Sequence, residues 1–340
     1  MAYLLGRGTA VEWLRHNQDA GLFATRYALP MLSLEASRRR LQRHASHTAD
    51  LTRPLRIIVS LRESRRPSAE AVCHLLTTPD GTYPAIRVKR GLFCSAPDFA
   101  FVQMANELDE EALRFLGMEL CGRYGIDANG RLFLRPQCCT PDALRTCAER
   151  LRGTRGRKRA LAVAPLVWAG AASPMESALA LILCSSPETG GFGMAPPELN
   201  RALPVTGRAR DLWDDDFITP DLYWEQGHLA IEYDSDLHHG SSHRIAHDSS
   251  RRNVLAELGL RVISVTAEHM RTPRELERIA GIVARQLGCE LPPCDEDEWG
   301  CRVAFQLRMR TLAEQPEALL GFSDKAVASR RAWHVRNRSQ

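Results

Sequence analysis

The stretch PDLYWEQGHLAIEYD, residues 220–234, decides the fold that this sequence predicts. It predicts two short strands joined by a turn at Glu225–Gly227, which lets them pair antiparallel. Side chains alternate along a strand, so Glu232 and Asp234 point to one face, and the turn brings Asp221 near that face. Three converging carboxylates repel one another unless a cation is present. Hard oxygen ligands favour Mg²⁺ or Mn²⁺ over zinc.

Each of these acids also has an ordinary structural explanation when it is taken alone. Single carboxylates at strand ends are usually solvated and carry no chemistry. Glu232 differs because it directly follows the apolar run Leu229–Ile231, where an unpaired buried charge is costly. The three acids together therefore indicate a site more strongly than any one of them does.

Outward from this stretch, residues 173–288 alternate between helical and strand-like segments. Helices are predicted at 173–185, 248–258 and 272–287, and strands at 202–206, 221–224, 228–233 and 261–266. Gly259 and Gly288 end the second and third of these helices. The order helix, three strands, helix, strand, helix predicts an α/β fold, a three-layer α-β-α domain at 170–290 with helices on both faces of a mixed sheet.

The remaining residues predict an N-terminal domain and a C-terminal tail. Residues 1–160 combine a helical beginning at 1–52 with short strands, which indicates an α+β domain of unknown role. Its predicted strands are 55–61, 71–77, 85–89 and 131–135, and its predicted helices are 9–16, 32–47, 97–108, 110–124 and 141–151. The basic stretch 152–159 is a candidate linker, either a solvated hinge or a contact to phosphate. Acidic residues at 295–298 and an arginine-rich end predict a partly mobile tail at 291–340.

Residues 173–288 contain an ordered series of motifs: Pro220-Asp221, Ile231 to Asp234, His238-His239, Asp248, Arg251-Arg252, Leu258-Gly259 and Arg261 to Ile263. This series resembles the motifs of the very-short-patch repair endonucleases and of a related family of small domains with an E-x-D-G-x-x-H motif. Both families have the restriction-endonuclease-like PD-(D/E)xK fold. The resemblance therefore implies a domain of restriction-endonuclease-like type that hydrolyses phosphodiester bonds in DNA with Mg²⁺ or Mn²⁺, in DNA repair or phage defence.

The same resemblance implies roles for particular residues. The metal ligands that it implies are Asp221, Glu232, Asp234 and, from the first helix, Glu176. His238 or His239 would orient the attacking water, and Arg252 would steady the charge on the phosphate. Glu176 has a second explanation of equal weight, because Ser173-Pro-Met-Glu176 is a capping box whose glutamate reaches back to the cap amide.

Two departures from the family pattern bear on catalysis rather than on the fold. The usual lysine of the third position is Asp234 here, and no lysine occurs between residues 159 and 324. The glycine expected after E-x-D is Ser235, which fits poorly if the turn needs a positive φ.

Arginines and histidines follow the acidic stretch and leave further alternatives open. Arg251 and Arg252 form either a solvated helix face or a phosphate-binding pair. His238, His239, His243 and His247 lie within ten residues, and the last three are spaced four apart, so on a continuous helix these three would form one face that could bind zinc. Because Gly240–Ser242 disfavours such a helix, a loop over the site is the other interpretation.

The composition is that of an ordinary globular protein, with 340 residues, 44% hydrophobic residues and a formal net charge of +4. No signal peptide or membrane-spanning stretch is evident, so we expect a soluble, cytoplasmic protein that binds DNA and no membrane. The ten cysteines form no C-x-x-C pair and are expected to be buried free thiols. In layout, the whole chain also resembles AbiEi-type abortive-infection antitoxins. That resemblance implies a catalytically inactive DNA-binding or toxin-neutralising protein whose partner is a toxin or another defence component.

Overall fold

The computed structural model of the chain describes residues 2–31, 34, 41–234, 242–291 and 293–321, and gives the backbone alone for Ala20 and 242–248. These residues form a mixed α/β protein with both parallel and antiparallel strand pairs. They divide into two compact units, which we name unit 1 (1–169 with 316–340) and unit 2 (170–315). Among the described residues, the helices are too short or too polar to cross a membrane.

Unit 1 is built around a six-stranded mixed sheet. Its strands are β1 (Tyr3–Leu5), β2 (Tyr27–Pro30), β3 (Leu55–Val59), β4 (Ala71–Leu75), β5 (Thr82–Lys89) and β6 (Leu92–Ser95). They lie in the order β2-β5-β6-β1-β3-β4, and β7 (Tyr124–Ile126) pairs separately with β8 (Leu132–Leu134). The helices are α1 (Arg7–His16), α2 (Ala20–Ala24), α3 (Pro97–Met104), α4 (Glu110–Leu120), α5 (Pro141–Arg150) and α6 (Arg157–Val163).

Most segments predicted for unit 1 are present, but its beginning differs. The helix predicted at 9–16 is confirmed by α1, but the prediction that residues 1–52 are helical throughout is wrong, because β1 and β2 lie there. The three residues of β1 are all buried inside the sheet, so they show no alternation that would identify a strand. Most of the helix predicted at 32–47 lies outside the described residues, and 42–47 forms a 3-10 turn.

The basic stretch 152–159 is not a hinge between the units. The boundary falls after residue 169, and α6 begins within the stretch at Arg157. Arg159 donates hydrogen bonds to the carbonyl oxygens of Ala105 and Leu108, at 2.9 and 2.5 Å. The stretch is therefore a fixed part of unit 1.

Unit 2 contains a four-stranded mixed sheet and a separate strand pair. Its strands are β9 (Glu198–Leu199), β10 (Leu203–Pro204), β11 (Phe217–Ile218), β12 (Leu222–Trp224), β13 (Leu229–Asp234) and β14 (Arg261–Thr266). The sheet has the order β14-β13-β12-β9, with β12 antiparallel to both neighbours and β13 parallel to β14.

The predicted first strand of this sheet is wrong. Residues 202–206 form only the two-residue β10, which pairs with β11 outside the sheet. The sheet instead begins at β9, which has two residues and therefore too little sequence to show a strand pattern.

Helices cover the sheet of unit 2 as the element order predicted. They are α7 (Pro174–Cys184), α8 (Ser242–Glu257), α9 (Ala267–Arg271), α10 (Pro273–Leu287) and α11 (Glu296–Glu314). Val254 and Leu255 of α8 share a buried apolar cluster with Tyr223 and Ala230 of the sheet. The side chain of Ile231 points to the opposite face and is also fully buried. Both faces of the sheet are therefore covered.

The segment predicted to be a tail from residue 291 onward contains helix α11, which belongs to unit 2 and packs against α7. The acidic residues that begin it form a capping box. Asp295 Oδ1 accepts from the Glu298 amide at 2.8 Å, and Glu298 Oε2 accepts from the Asp295 amide at 3.0 Å. The D-x-x-E spacing could have revealed this helix start. Residues 322–340 lie outside the described part of the chain.

The ten cysteines are free thiols in the structure and differ in exposure. Those that are buried are Cys73, Cys94, Cys121, Cys138, Cys139 and Cys147. Burial also raises the pKa of Cys138 to about 12, which keeps its thiol protonated. We expect Cys289 and Cys301, which are exposed, to react quickly with a thiol reagent in the native protein. The six buried thiols should react only on unfolding. Fast native labelling of Cys73 or Cys147, located by peptide mass spectrometry, would contradict the described packing.

Candidate active site: a cluster of carboxylates

Asp221 and Glu232 are brought together by the pairing of β12 and β13. The strand register places Leu222 opposite Ile231. Asp221, which directly precedes β12, therefore lies beside Glu232. Asp221 Oδ2 accepts a hydrogen bond from the backbone amide of Tyr233 at 2.7 Å, which fixes its carboxylate against β13. The predicted turn between the strands is present. The strand pairing therefore brings together the two acids that the sequence placed on one face.

Glu176 joins this cluster from the first turn of α7. Its side chain is 6% exposed. Ser173 caps the helix, as predicted, by accepting from the Glu176 amide at 3.1 Å. The Glu176 carboxylate does not accept from the backbone amide of Ser173, so the predicted capping box is not completed. Its Oε2 instead accepts from the Ala172 amide at 2.8 Å and from the Asn200 side chain at 2.6 Å. The helix cap thus explains only part of how Glu176 is held.

Asn200 is a site residue that no sequence pattern indicates. It follows β9 with a left-handed backbone, φ +50°, a conformation that asparagine tolerates better than most residues. Its side chain donates to Glu176, and its backbone amide donates to the carbonyl oxygen of Asp221 at 3.0 Å. Asn200 therefore ties two of the acidic residues to one edge strand. The short β9 that positions it has no sequence signature.

The pKa values of the three acids are raised, by burial of the side chains and by the charge of neighbouring carboxylates. Burial is the main cause that raises the pKa of Glu176 to about 7, and the charge of Asp221 raises it further. The pKa of Glu232 is also raised to about 7, first by burial and then by Asp221, although Arg251 opposes the shift. Burial likewise raises the pKa of Asp221. Ionised carboxylates at this place therefore need a compensating cation.

Arg251 supplies one positive charge to the cluster. Its Nε and Nη2 donate to Glu232 Oε2 at 3.1 and 2.9 Å, and Nη2 also lies 3.1 Å from Oε1. A further bond from Nη2 to the Thr219 carbonyl oxygen, at 2.8 Å, holds the guanidinium in place. Arg251 is 21% and Glu232 17% exposed. Neither predicted alternative for Arg251, a solvated face or a phosphate contact, includes this ion pair.

The other predicted site residues are placed as follows. Arg252 is exposed and has a single described side-chain contact, to Ser249 at 3.5 Å. Asp234 ends β13, is half-buried and lies in register with Thr266 of β14. His238 and His239 lie outside the described residues, as does Ser235. His243 and His247 lie on α8, but only their backbone is described. The zinc alternative therefore stays a prediction.

Within the described ranges, no three side chains of histidine, cysteine, aspartate or glutamate form a group arranged to hold a metal ion. Glu176, Asp221 and Glu232 each carry a carboxylate. They are hard oxygen donors, which is the chemistry that Mg²⁺ and Mn²⁺ require. Comparison of the chain with protein-family models, with curated proteins and with solved structures finds no match in any of the three.

The raised pKa values predict how stability depends on pH in the absence of metal. For Glu176, the folded-state pKa of about 7 lies above the ordinary 4.5, so the folded protein binds more protons between these values. Its contribution to stability is therefore complete below about pH 4.5 and is lost as pH rises through 7. We expect Glu176 by itself to lower the free energy of unfolding by about 2 kcal/mol between pH 5 and 8, since one pKa unit corresponds to about 1.4 kcal/mol.

Urea unfolding in EDTA across this pH range measures the effect. The Glu176→Gln variant keeps an acceptor for Asn200 and Ala172 but carries no charge, so its profile should be flatter than that of the wild type. Parallel profiles for the two proteins would mean that Glu176 does not titrate in this range.

Proposed function

We propose that unit 2 is a metal-dependent nuclease domain of restriction-endonuclease-like type, which hydrolyses phosphodiester bonds in DNA. The observation that carries this proposal is the convergence of Glu176, which is buried, and of Asp221 and Glu232, which are half-buried, from three separate segments into one cluster. The order of a helix, strands β9, β12 and β13, helix α8 and strand β14 supports the same fold.

The three carboxylates would hold Mg²⁺ or Mn²⁺, with Asp234 beside them on the same face of β13. A divalent ion at such a site polarises phosphate oxygens and stabilises the negative charge that develops during hydrolysis. The residues of the chain contribute positioning. Asn200 and the Ala172 amide orient Glu176, and the Tyr233 amide orients Asp221. Arg251 binds both oxygens of Glu232 and neutralises it while no metal is bound.

In this proposal, Arg252 binds a phosphate group of the DNA. It lies one residue after Arg251, but its guanidinium is exposed, whereas Arg251 is committed to Glu232. His238 or His239 remains the proposed residue for orienting water.

One nuclease assay tests the proposal across substrates. Purified full-length protein is incubated with single-stranded, duplex and mismatched DNA in Mg²⁺, Mn²⁺ or EDTA. We expect cleavage of at least one substrate with a divalent ion and none in EDTA. Cleavage that persists in EDTA, or none on any substrate with either ion, would contradict the proposal.

A second candidate is a DNA-binding or antitoxin-type protein that retains this fold without turnover, with a toxin or another defence component as partner. The observation that favours it is the bidentate Arg251–Glu232 pair, which offsets the charge of one acid without any metal. This candidate predicts DNA binding that weakens with salt and no cutting even in Mn²⁺.

A further inference from the structure

The basic loop, as we name residues 152–159 of unit 1, includes the first residues of α6 and has a fixed conformation. Arg157 Nε donates to the Ala148 carbonyl oxygen at 3.0 Å, and the hydrogen bonds of Arg159 hold the other end. Gly156 has a φ of +86°, and a Cβ at this position would lie 2.8 Å from the Val102 carbonyl oxygen. The backbone therefore requires glycine here. The other side chains of the loop extend from a backbone of fixed conformation.

Three basic side chains of this loop are exposed and uncompensated. Arg152, Arg155 and Lys158 are exposed and form no ion pair with any described residue. The loop borders an open concavity of about 460 Å³, lined by Ala105, Asn106 and residues 153–159. The lining contains no acidic residue. The result is a patch of positive charge on a rigid surface.

We propose that this loop binds the phosphate groups of a nucleic acid backbone. Arginine and lysine side chains on an open surface suit an extended polyanion, because they neutralise successive phosphates without a buried pocket. A membrane surface fits less well, since the lining has no large apolar side chain to enter the hydrocarbon. The site lies in unit 1, so it is independent of the carboxylate cluster and would give this unit a role in holding DNA or RNA.

The test compares two triple variants of the full-length chain. The loop variant is Arg152→Gln, Arg155→Gln and Lys158→Gln. The control removes the same charge from three exposed arginines elsewhere in unit 1, by Arg62→Gln, Arg90→Gln and Arg131→Gln. Binding of labelled duplex and single-stranded DNA is measured in EDTA at several salt concentrations, so that cleavage plays no part. Circular dichroism checks that both variants fold.

We expect the loop variant to bind at least about tenfold more weakly at low salt, and its plot of log affinity against log salt to be shallower by about 2 to 3. The control should change affinity by less than about threefold. Equal losses in the two variants, or an unchanged salt slope, would overturn the proposal.

Two further measurements test whether the loop binds a free phosphate ion or a membrane surface instead of a nucleic acid. Millimolar inorganic phosphate should not displace DNA, and anionic phosphatidylserine vesicles should not bind in a loop-dependent way. Displacement by free phosphate would indicate a small-anion site, and loop-dependent vesicle binding would indicate a membrane surface. Either result would replace the nucleic acid assignment. Because no arm measures cleavage, these results are separate from the outcome of the nuclease assay.

Discussion

The Asp221→Asn variant is expected to fold normally and to lose divalent-dependent DNA cleavage by about a thousandfold or more. Asparagine keeps an oxygen that can accept from the Tyr233 amide, so the strand contact survives. It removes the charge that a divalent ion needs from the residue at the centre of the cluster. Metal coordination contributes several kcal/mol to catalysis of this kind, and about 4 kcal/mol corresponds to a thousandfold in rate.

The matched control for this variant is Asp215→Asn, which neutralises an exposed acid near it in the sequence. It should cleave like the wild type. Urea unfolding in EDTA should show Asp221→Asn to be as stable as the wild type or more so, because like charges near Glu176 and Glu232 are reduced. Undiminished cleavage by Asp221→Asn would remove Asp221 from the site. Equal losses of cleavage in both variants would show that removing a negative charge lowers cleavage regardless of its position.

The Arg251→Met variant is expected to lower the free energy of unfolding by about 2 to 3 kcal/mol at pH 8 in EDTA. Removing one partner of a largely buried ion pair leaves the other charge uncompensated, which costs more than the pair itself contributes. Glu232 has a pKa of about 7 in the wild type and is mostly ionised there at pH 8; Arg251 lowers this pKa, so its removal makes the ionised form of Glu232 costly. Protonation of Glu232 relieves the cost, so the loss should shrink toward pH 5.

Arg252→Met is the control, because it makes the same substitution at the next position of α8, where the arginine side chain is exposed. It should change stability by less than about 0.5 kcal/mol. Adding Glu232→Gln to Arg251→Met should restore most of the lost stability, which a double-mutant cycle measures. Equal effects of Arg251→Met and Arg252→Met would show that the ion pair does not stabilise unit 2.

A divalent ion should also affect the two arginine variants differently. The guanidinium of Arg251 and a metal ion would use the same oxygens of Glu232. We therefore expect Mn²⁺ to stabilise Arg251→Met more than it stabilises the wild type or Arg252→Met, when unfolding is followed with and without the ion.

Local sequence patterns determined much of unit 2. The strands β12 and β13 and the turn between them follow from one short stretch, because alternation and turn residues act over a few positions. Helix ends at Gly259 and Gly288 follow from their left-handed backbones, at φ +79° and +70°. The same stretch placed Asp221 beside Glu232, since antiparallel pairing across a short turn fixes which residues face each other.

Tertiary structure alone decided how the cluster is completed. Glu176 lies 24 residues before Asn200, and Arg251 lies 19 residues after Glu232, so no local periodicity links these partners. The two-residue β9 and the fixed loop at 152–159 are likewise defined by their neighbours in space. The sequence by itself determined which acids share a face of the sheet. Long-range packing determined which groups compensate their charge, because burial and ion pairing depend on segments that the chain brings together only when it folds.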